Sequence, residues 1–228
     1  SRCSWVWPWS WTSRTRAPAA PSSRTPPPTP RPASSACTGS TCPTGRPPRS
    51  AAPPPGPSEL IGTPVLYKGK VYAAIGQDPE HGEGVGILSC VNADTGKKVW
   101  DYRKLQRTIS TVAIDESNGL LFASDYTGYV YCVDAKTGKE NWVYDTKAHM
   151  WSSPMVADGK VFIGDEDGDL TVLPSKADFN PKKDKYIFET NMLVPIYSTP
   201  IVANGTLYIG TQTHLYAVQA SKKAASTK

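Results

Sequence analysis

An all-β fold built from about four repeated hairpin units is what the sequence predicts, and three observations lead there. Short apolar runs alternate from Leu60 onward and break at Gly, Asn and Asp, as half-buried strands joined by turns do. The pattern restarts at Thr63, Thr111, Ser153 and Thr199, in steps of 48, 42 and 46 residues. No stretch sustains the 3.6-residue apolar period of a packed helix. A period of that length, with three or four strands per unit, is what a β-propeller blade requires.

Each unit can be read in order. "PVLYKGKVYAAIG" is a strand, a tight turn and a strand. "VAIDESNGLLFASDYTGYVYCV" repeats it with two extra residues in the first turn and adds a third strand. "PMVADGKVFIGDEDGDLTVL" turns at Asp-Gly, and "PIVANGTLYIGTQTHLYAV" at Asn-Gly, the strongest two-residue hairpin signal. In the third unit an outer strand is expected near Lys185–Glu189, after a lysine-bearing loop. The fourth unit stops after its third strand and runs into the polar tail 220–228.

Composition divides the chain. Residues 1–57 hold 15 of the 22 prolines and 7 arginines, with no Lys, Asp, Glu, Ile or Leu. Such a segment buries too little apolar surface to offset chain entropy and is expected to be disordered. The abrupt switch near residue 58 fits a frame shift or an artificial junction, and equally a Pro-rich linker. Residues 58–219 form the repeat region. All 20 acids and 18 of the 25 basic residues lie after residue 57. The repeat region is therefore slightly acidic, which excludes a basic nucleic-acid binder. No run approaches the roughly 20 apolar residues of a transmembrane helix.

Two longer copies sharpen the picture. "NADTGKKVW" runs from Asn92 to Trp100 and "DAKTGKENW" from Asp134 to Trp142, 42 residues apart. Asn or Asp caps the strand end, Thr-Gly makes the turn, and the Trp can lay its ring on the neighbouring blade. This arrangement resembles the tryptophan-docking motif of the quinoprotein, or PQQ-like, propellers over about residues 60–219. That family includes quinoprotein alcohol dehydrogenases and non-enzymatic BamB-like envelope lipoproteins. The resemblance implies blades from a ring of seven or eight, so that this chain would be a half ring with missing N-terminal blades and two uncovered blade faces; a small closed ring of four blades is the alternative. It also implies a periplasmic or envelope setting, protein partners, and PQQ with calcium as possible cofactors. Membrane association would then come only through partners.

Candidate chemistry is sparse. Cys90 and Cys132 share a column with Val172 and Ala217, which reads as a core position. Asp165, Glu166, Asp167 and Asp169 lack the spacing of a helix-flanked calcium loop and read as a hairpin turn. "GQDPEHGEGVG" (76–86) is a long loop carrying Asp78, Glu80, His81 and Glu83, without metal-ligand spacing. Ile109, Trp151 and Tyr197 share one column just before the inner strands, where a propeller channel opens. There Arg107, His149 and Trp151 would supply a cation, an imidazole and a flat stacking surface for a ligand. The competing reading packs Trp151 and Tyr197 between blades. No catalytic residue can be assigned. The vicinal cysteine pair typical of the quinoprotein alcohol dehydrogenases is missing from this sequence. The functional expectation is a non-catalytic envelope interaction scaffold; the alternative is a piece of a PQQ-dependent dehydrogenase of alcohols or sugars.

Overall fold

The computed structural model describes residues 60–76, 86–184, 186 and 188–219. These lie in one compact unit, Pro47–Lys228. The expectations for residues 1–57 and 220–228, and for the acids and histidine of loop 77–85, fall outside the described residues.

Among the described residues fifteen strands form four antiparallel sheets, each a meander of consecutive strands. Blade 1 holds β1 (Val65–Tyr67), β2 (Lys70–Ile75), β3 (Ile87–Asn92) and β4 (Lys98–Tyr102). Blade 2 holds β5 (Ala113–Asp115), β6 (Leu120–Ser124), β7 (Tyr129–Asp134) and β8 (Glu140–Asp145). Blade 3 holds β9 (Met155–Ala157), β10 (Lys160–Gly164), β11 (Asp169–Pro174) and β12 (Phe188–Asn191). Blade 4 holds β13 (Ile201–Ala203), β14 (Thr206–Gly210) and β15 (Leu215–Gln219). The all-β propeller prediction therefore holds, with three strands in the last blade among the described residues.

The first turns behave as their sequences require. At Lys68–Gly69, Asp158–Gly159 and Asn204–Gly205 both central residues take positive φ, between 46° and 71°. That backbone twist matches the right-handed twist of the flanking strands. One boundary differs from expectation. The outer strand of blade 3 is Phe188–Asn191 rather than near Lys185–Glu189. Asn180 and Asp184 close a turn before it, with the Asn180 N–H donating to the Asp184 carboxylate at 2.8 Å. Asn191 anchors its end by donating to Asp169 Oδ1 at 2.8 Å.

The core lies between blades, because strand alternation gives each sheet two apolar faces. Tyr72, Cys90 and Tyr102 of blade 1 pack with Leu121, Tyr131 and Val133 of blade 2. Phe122, Cys132 and Trp142 of blade 2 pack with Val161, Ile163 and Leu173 of blade 3. Blade 3 meets blade 4 through Leu170, Ile196 and Ile209. Facing residues stay in register: Tyr72 pairs with Cys90 and Cys90 with Trp100. Phe122, Cys132 and Trp142 repeat that row one blade later.

The paired motifs hold the blade ends. The Asn92 side-chain oxygen accepts from the Thr95 N–H at 2.8 Å, and the Asp134 carboxylate from the Thr137 N–H at 2.7 Å. Gly138, at φ 72°, lies directly beneath the Trp100 ring, where an added Cβ would collide with the indole. The Trp100 Nε1–H donates to the Ala135 carbonyl at 3.2 Å, and the Trp142 Nε1–H to the Lys176 carbonyl at 2.7 Å. The third unit lacks the motif, and its insertion supplies Phe179 instead, edge-on to Trp142 at 5.2 Å.

Trp142 is 5% exposed. Trp142→Ala should therefore cost about 3–5 kcal/mol through lost transfer energy and the cavity left behind. Urea denaturation of both proteins measures it, and a loss under about 1 kcal/mol would contradict the buried position.

Candidate functional site

One end of the blades is assembled by a recurring crossing. The segment leading into each inner strand passes over the turn between strands two and three of the preceding blade. A side chain at Gly86, Gly128 or Gly168 would collide there with the carbonyl of Gln106, Ala148 or Val194. Only glycine permits so close an approach of two backbones. Hydrogen bonds then tie each lead-in to the corresponding turn of its own blade. The Tyr126 N–H donates to the Arg107 carbonyl at 2.7 Å, Glu166 N–H to that of His149 at 2.9 Å, and Gln212 N–H to that of Pro195 at 3.2 Å.

This geometry gathers an aromatic and charged cluster. The Arg107 guanidinium carbon lies 3.9 Å from the Tyr126 ring centroid. His149 stacks on the same ring at 4.5 Å and 12°, and its Nδ1 lies 3.2 Å from the Tyr126 carbonyl. Trp151 meets Tyr126 edge-on at 5.3 Å and Tyr197 at 5.9 Å. Its Nε1–H donates to Glu166 Oε2 at 3.3 Å. A cleft of about 370 Å³ opens beside them, lined by Thr127, Lys147, Ala148, His149, Glu166 and Asp167.

Arg107, His149 and Trp151, the three residues singled out in the sequence, thus converge on Tyr126. Sequence reasoning missed Tyr126 as the shared platform, and Glu166 as the partner of Trp151. The signal was present in the repeat: Tyr126 and Glu166 occupy the same turn position in consecutive blades. Trp151 and Tyr197 are 38% and 39% exposed, so their rings face solvent in part instead of being sealed between blades. Ile109 shares their column and is also only partly buried. Arg107 is 5% exposed, and among the described residues its buried Nε and one terminal nitrogen have no hydrogen-bond partner. Stacking on Tyr126 stabilises such a cation, yet its unpaired donors make it the most costly group in the cluster.

Beneath the cluster lie buried carboxylates. Asp125 accepts from the Tyr129 N–H at 3.1 Å, the Gln106 N–H at 3.2 Å and the Tyr131 hydroxyl at 2.7 Å. Asp165 holds the equivalent turn of blade 3, accepting from the Asp169 N–H at 2.9 Å. The acidic run is accordingly a hairpin turn between β10 and β11. Among the described residues no three His, Cys, Asp or Glu side chains converge as a metal site. Cys90 and Cys132 are both fully buried free thiols in different blade joints. Burial pushes the Cys132 thiol up to about 12, too high for a reactive thiolate at neutral pH.

Burial likewise pushes the Asp165 carboxyl up to about 6, and the nearby Asp169 and Asp167 charges add to the shift. Its folded value exceeds the unfolded one near 3.9. The ionisation penalty is therefore absent below about pH 4, grows as pH rises, and is complete above about pH 6. Asp165→Asn, which keeps an acceptor for the Asp169 N–H, should gain about 1–2 kcal/mol at pH 7.5 and nothing at pH 3.5. Thermal or urea unfolding at the two pH values checks this; an equal effect at both would contradict it.

Comparisons with known proteins agree with this architecture. Residues 84–182 match the family model described as outer membrane protein assembly factor BamB. BamB from Moraxella catarrhalis is 17% identical with a TM-score of 0.52, over 72% of this chain and 60% of that one. The quinohemoprotein alcohol dehydrogenase ADHIIG from Pseudomonas putida HK5 is 18% identical with a TM-score of 0.52, over 67% of this chain and 28% of that one. The computationally designed Ika8 protein is 10% identical with a TM-score of 0.56, over 70% of this chain and 45% of that one. The chain thus spans less than two thirds of each of these proteins. A search of curated proteins gave no match. The blade meanders and the solved neighbours show a β-propeller fold, and the paired Asn/Asp-to-Trp turns with the match over residues 84–182 support a PQQ-like repeat family.

Proposed function

We propose that this chain acts as a non-catalytic interaction scaffold of the cell envelope, working in the periplasm or at its membranes and binding protein partners through the Trp151 end of the blades. The observation that carries this reading is the preassembled aromatic patch. Trp151 and Tyr197 are each about two-fifths exposed, yet edge-on contacts with each other and with Tyr126 restrict their rotamers. Large aromatics ordered before binding lose little entropy on contact, and Trp, Tyr and Arg dominate interface hot spots. His149, Glu166 and Lys147 surround the patch with polar groups, as an interface rim requires. The BamB family match supports the same setting.

The quinoprotein alternative would have to use the same residues. PQQ is a planar polyanion and needs an open aromatic face, accessible cations and a calcium donor set. Trp151 does offer an exposed ring. Arg107, however, is buried against Tyr126. Lys147 is the cation in the cleft, and Glu166 is engaged with the Trp151 indole. Among the described residues the donors for PQQ with calcium do not come together.

Two experiments separate the readings. A photo-crosslinking residue at Tyr197 should capture an envelope protein in cells, and Trp151→Ala should reduce that capture at least tenfold. Capture from Tyr197 that matches capture from Lys97, at the opposite end of the blades, would contradict the scaffold reading. Titration with PQQ and calcium should leave tryptophan fluorescence without saturable quenching at micromolar concentrations. Saturable quenching that disappears in Trp151→Ala would establish the cofactor reading instead.

A further inference from the structure

Beside the cleft, exposed aromatic rings meet carboxylates that have no cation of their own. Trp151 and Tyr197 come from the lead-ins of consecutive blades, and their rings meet at 72° with centroids 5.9 Å apart. They form an aromatic corner, 38% and 39% exposed, and Tyr126 meets the same indole at 89°. Glu166 reaches both walls of the corner. Its Oε2 accepts from the Trp151 Nε1–H at 3.3 Å. Burial raises the Tyr197 hydroxyl above the usual tyrosine range, and the charge and hydrogen bond of the neighbouring Glu166 raise it further.

The charge around this corner is mainly negative. The β10–β11 turn and the start of β11 carry Asp165, Glu166, Asp167 and Asp169. Among the described residues none of the four lies in a salt bridge; the ion pairs join Lys98 and Arg103 to Asp101, Lys104 to Glu140, and Lys160 to Asp158. Lys147 lines the cleft together with Glu166 and Asp167, yet pairs with neither. Nor does a Lys or Arg of the described residues lie over Trp151 or Tyr197, since the cation–π contacts are Lys68 on Tyr67 and Arg107 on Tyr126. The equivalent turn of blade 2 keeps Asp125 in the Asp165 position but has Tyr126 and Thr127 where blade 3 has Glu166 and Asp167. Turn geometry therefore does not dictate those two acids.

We propose that this corner receives one basic side chain, a lysine or an arginine, presented by a protein partner; the inference rests on the scaffold reading and names the chemistry the partner brings. The cation lies against the exposed Trp151 and Tyr197 rings, whose faces carry the negative part of the quadrupole, and pairs with Glu166 and Asp167. Its alkyl stem covers aromatic surface while the charged head stays at the cleft. Ring faces and carboxylates both repel an anion, so the corner discriminates by charge in two ways. A cleft of about 370 Å³ stands near the small end of ligand pockets, roughly 300–1,000 Å³, and suits one long side chain.

Titration of the whole chain with acetyl-Gly-Arg-Gly-amide tests the proposal, beside the same peptide carrying lysine, glutamate or citrulline, the neutral isostere of arginine. The readout is the Trp151 indole N–H resonance, identified as the one lost in Trp151→Phe. The arginine and lysine peptides should shift it saturably at millimolar concentration, and the citrulline peptide should bind at least about tenfold more weakly. Glu166→Gln, which keeps an acceptor for the indole, should weaken the basic peptides about tenfold. Asp94→Asn, in the β3–β4 turn at the opposite end of the blades, should leave them unchanged. No saturable shift, equal binding of the arginine and citrulline peptides, preference for the glutamate peptide, or indifference to Glu166→Gln would each overturn the proposal. Crosslinking from Tyr197 keeps the two readings apart. Capture that survives Glu166→Gln undiminished removes the basic side chain alone, whereas capture no greater than from Lys97 removes the scaffold reading whatever the peptides do.

Discussion

Each joint between blades depends on two sheets with apolar residues on both faces being held at one distance by polar contacts at their margins. Three contacts recur. A backbone N–H donates to a Ser or Thr hydroxyl of the next blade at the inner strands. A turn glycine admits the crossing backbone at one end. A tryptophan from the outer strand lies against the next blade's turn, its indole N–H donating to a carbonyl there. The apolar contacts between these margins have no direction of their own. The polar contacts supply the register, since a displaced sheet would leave these part-buried donors without their partners.

The candidate site is a consequence of these joints. The glycine crossing that holds blade 2 to blade 3 also places His149 on Tyr126, and the crossing before it places Arg107 on the same ring. Trp151 then projects one residue beyond the buried Met150, beside Glu166 of the next turn. Five aromatic or ionisable groups from four segments meet because the repeat brings corresponding positions side by side. Among the described residues the buried donors of Arg107 are unpaired, an energetic cost at this end of the blades.

Most of the fold was legible because it is written locally. Lys68–Gly69, Asp158–Gly159 and Asn204–Gly205 specify their turns by backbone sterics alone, and the column of Cys90, Cys132, Val172 and Ala217 follows from period-two alternation. The outer strand of blade 3 was misplaced because its start depends on the Asn180–Asp184 turn and its end on Asn191, neither of which the repeat anticipates. Phe179 was unreadable for a similar reason: an insertion supplies by tertiary packing what a motif supplies elsewhere. Arg107, His149 and Trp151 were found by column position, while Tyr126 looked like an ordinary turn residue. Its role rests on ring stacking between two lead-in segments, which no single repeat reveals.

Amide hydrogen exchange at Thr111 tests the joint most directly, because its N–H crosses from blade 2 to the Ser153 hydroxyl of blade 3 and belongs to no strand ladder. If these relays hold the blades together, Thr111 should exchange at least about a hundredfold more slowly than an exposed loop amide. Ser153→Ala should remove that protection at Thr111 while leaving the ladder amides of β6 slow. Exchange of Thr111 at the rate of an exposed loop in the unaltered protein would contradict the hydroxyl relay as the element that sets the blades in register.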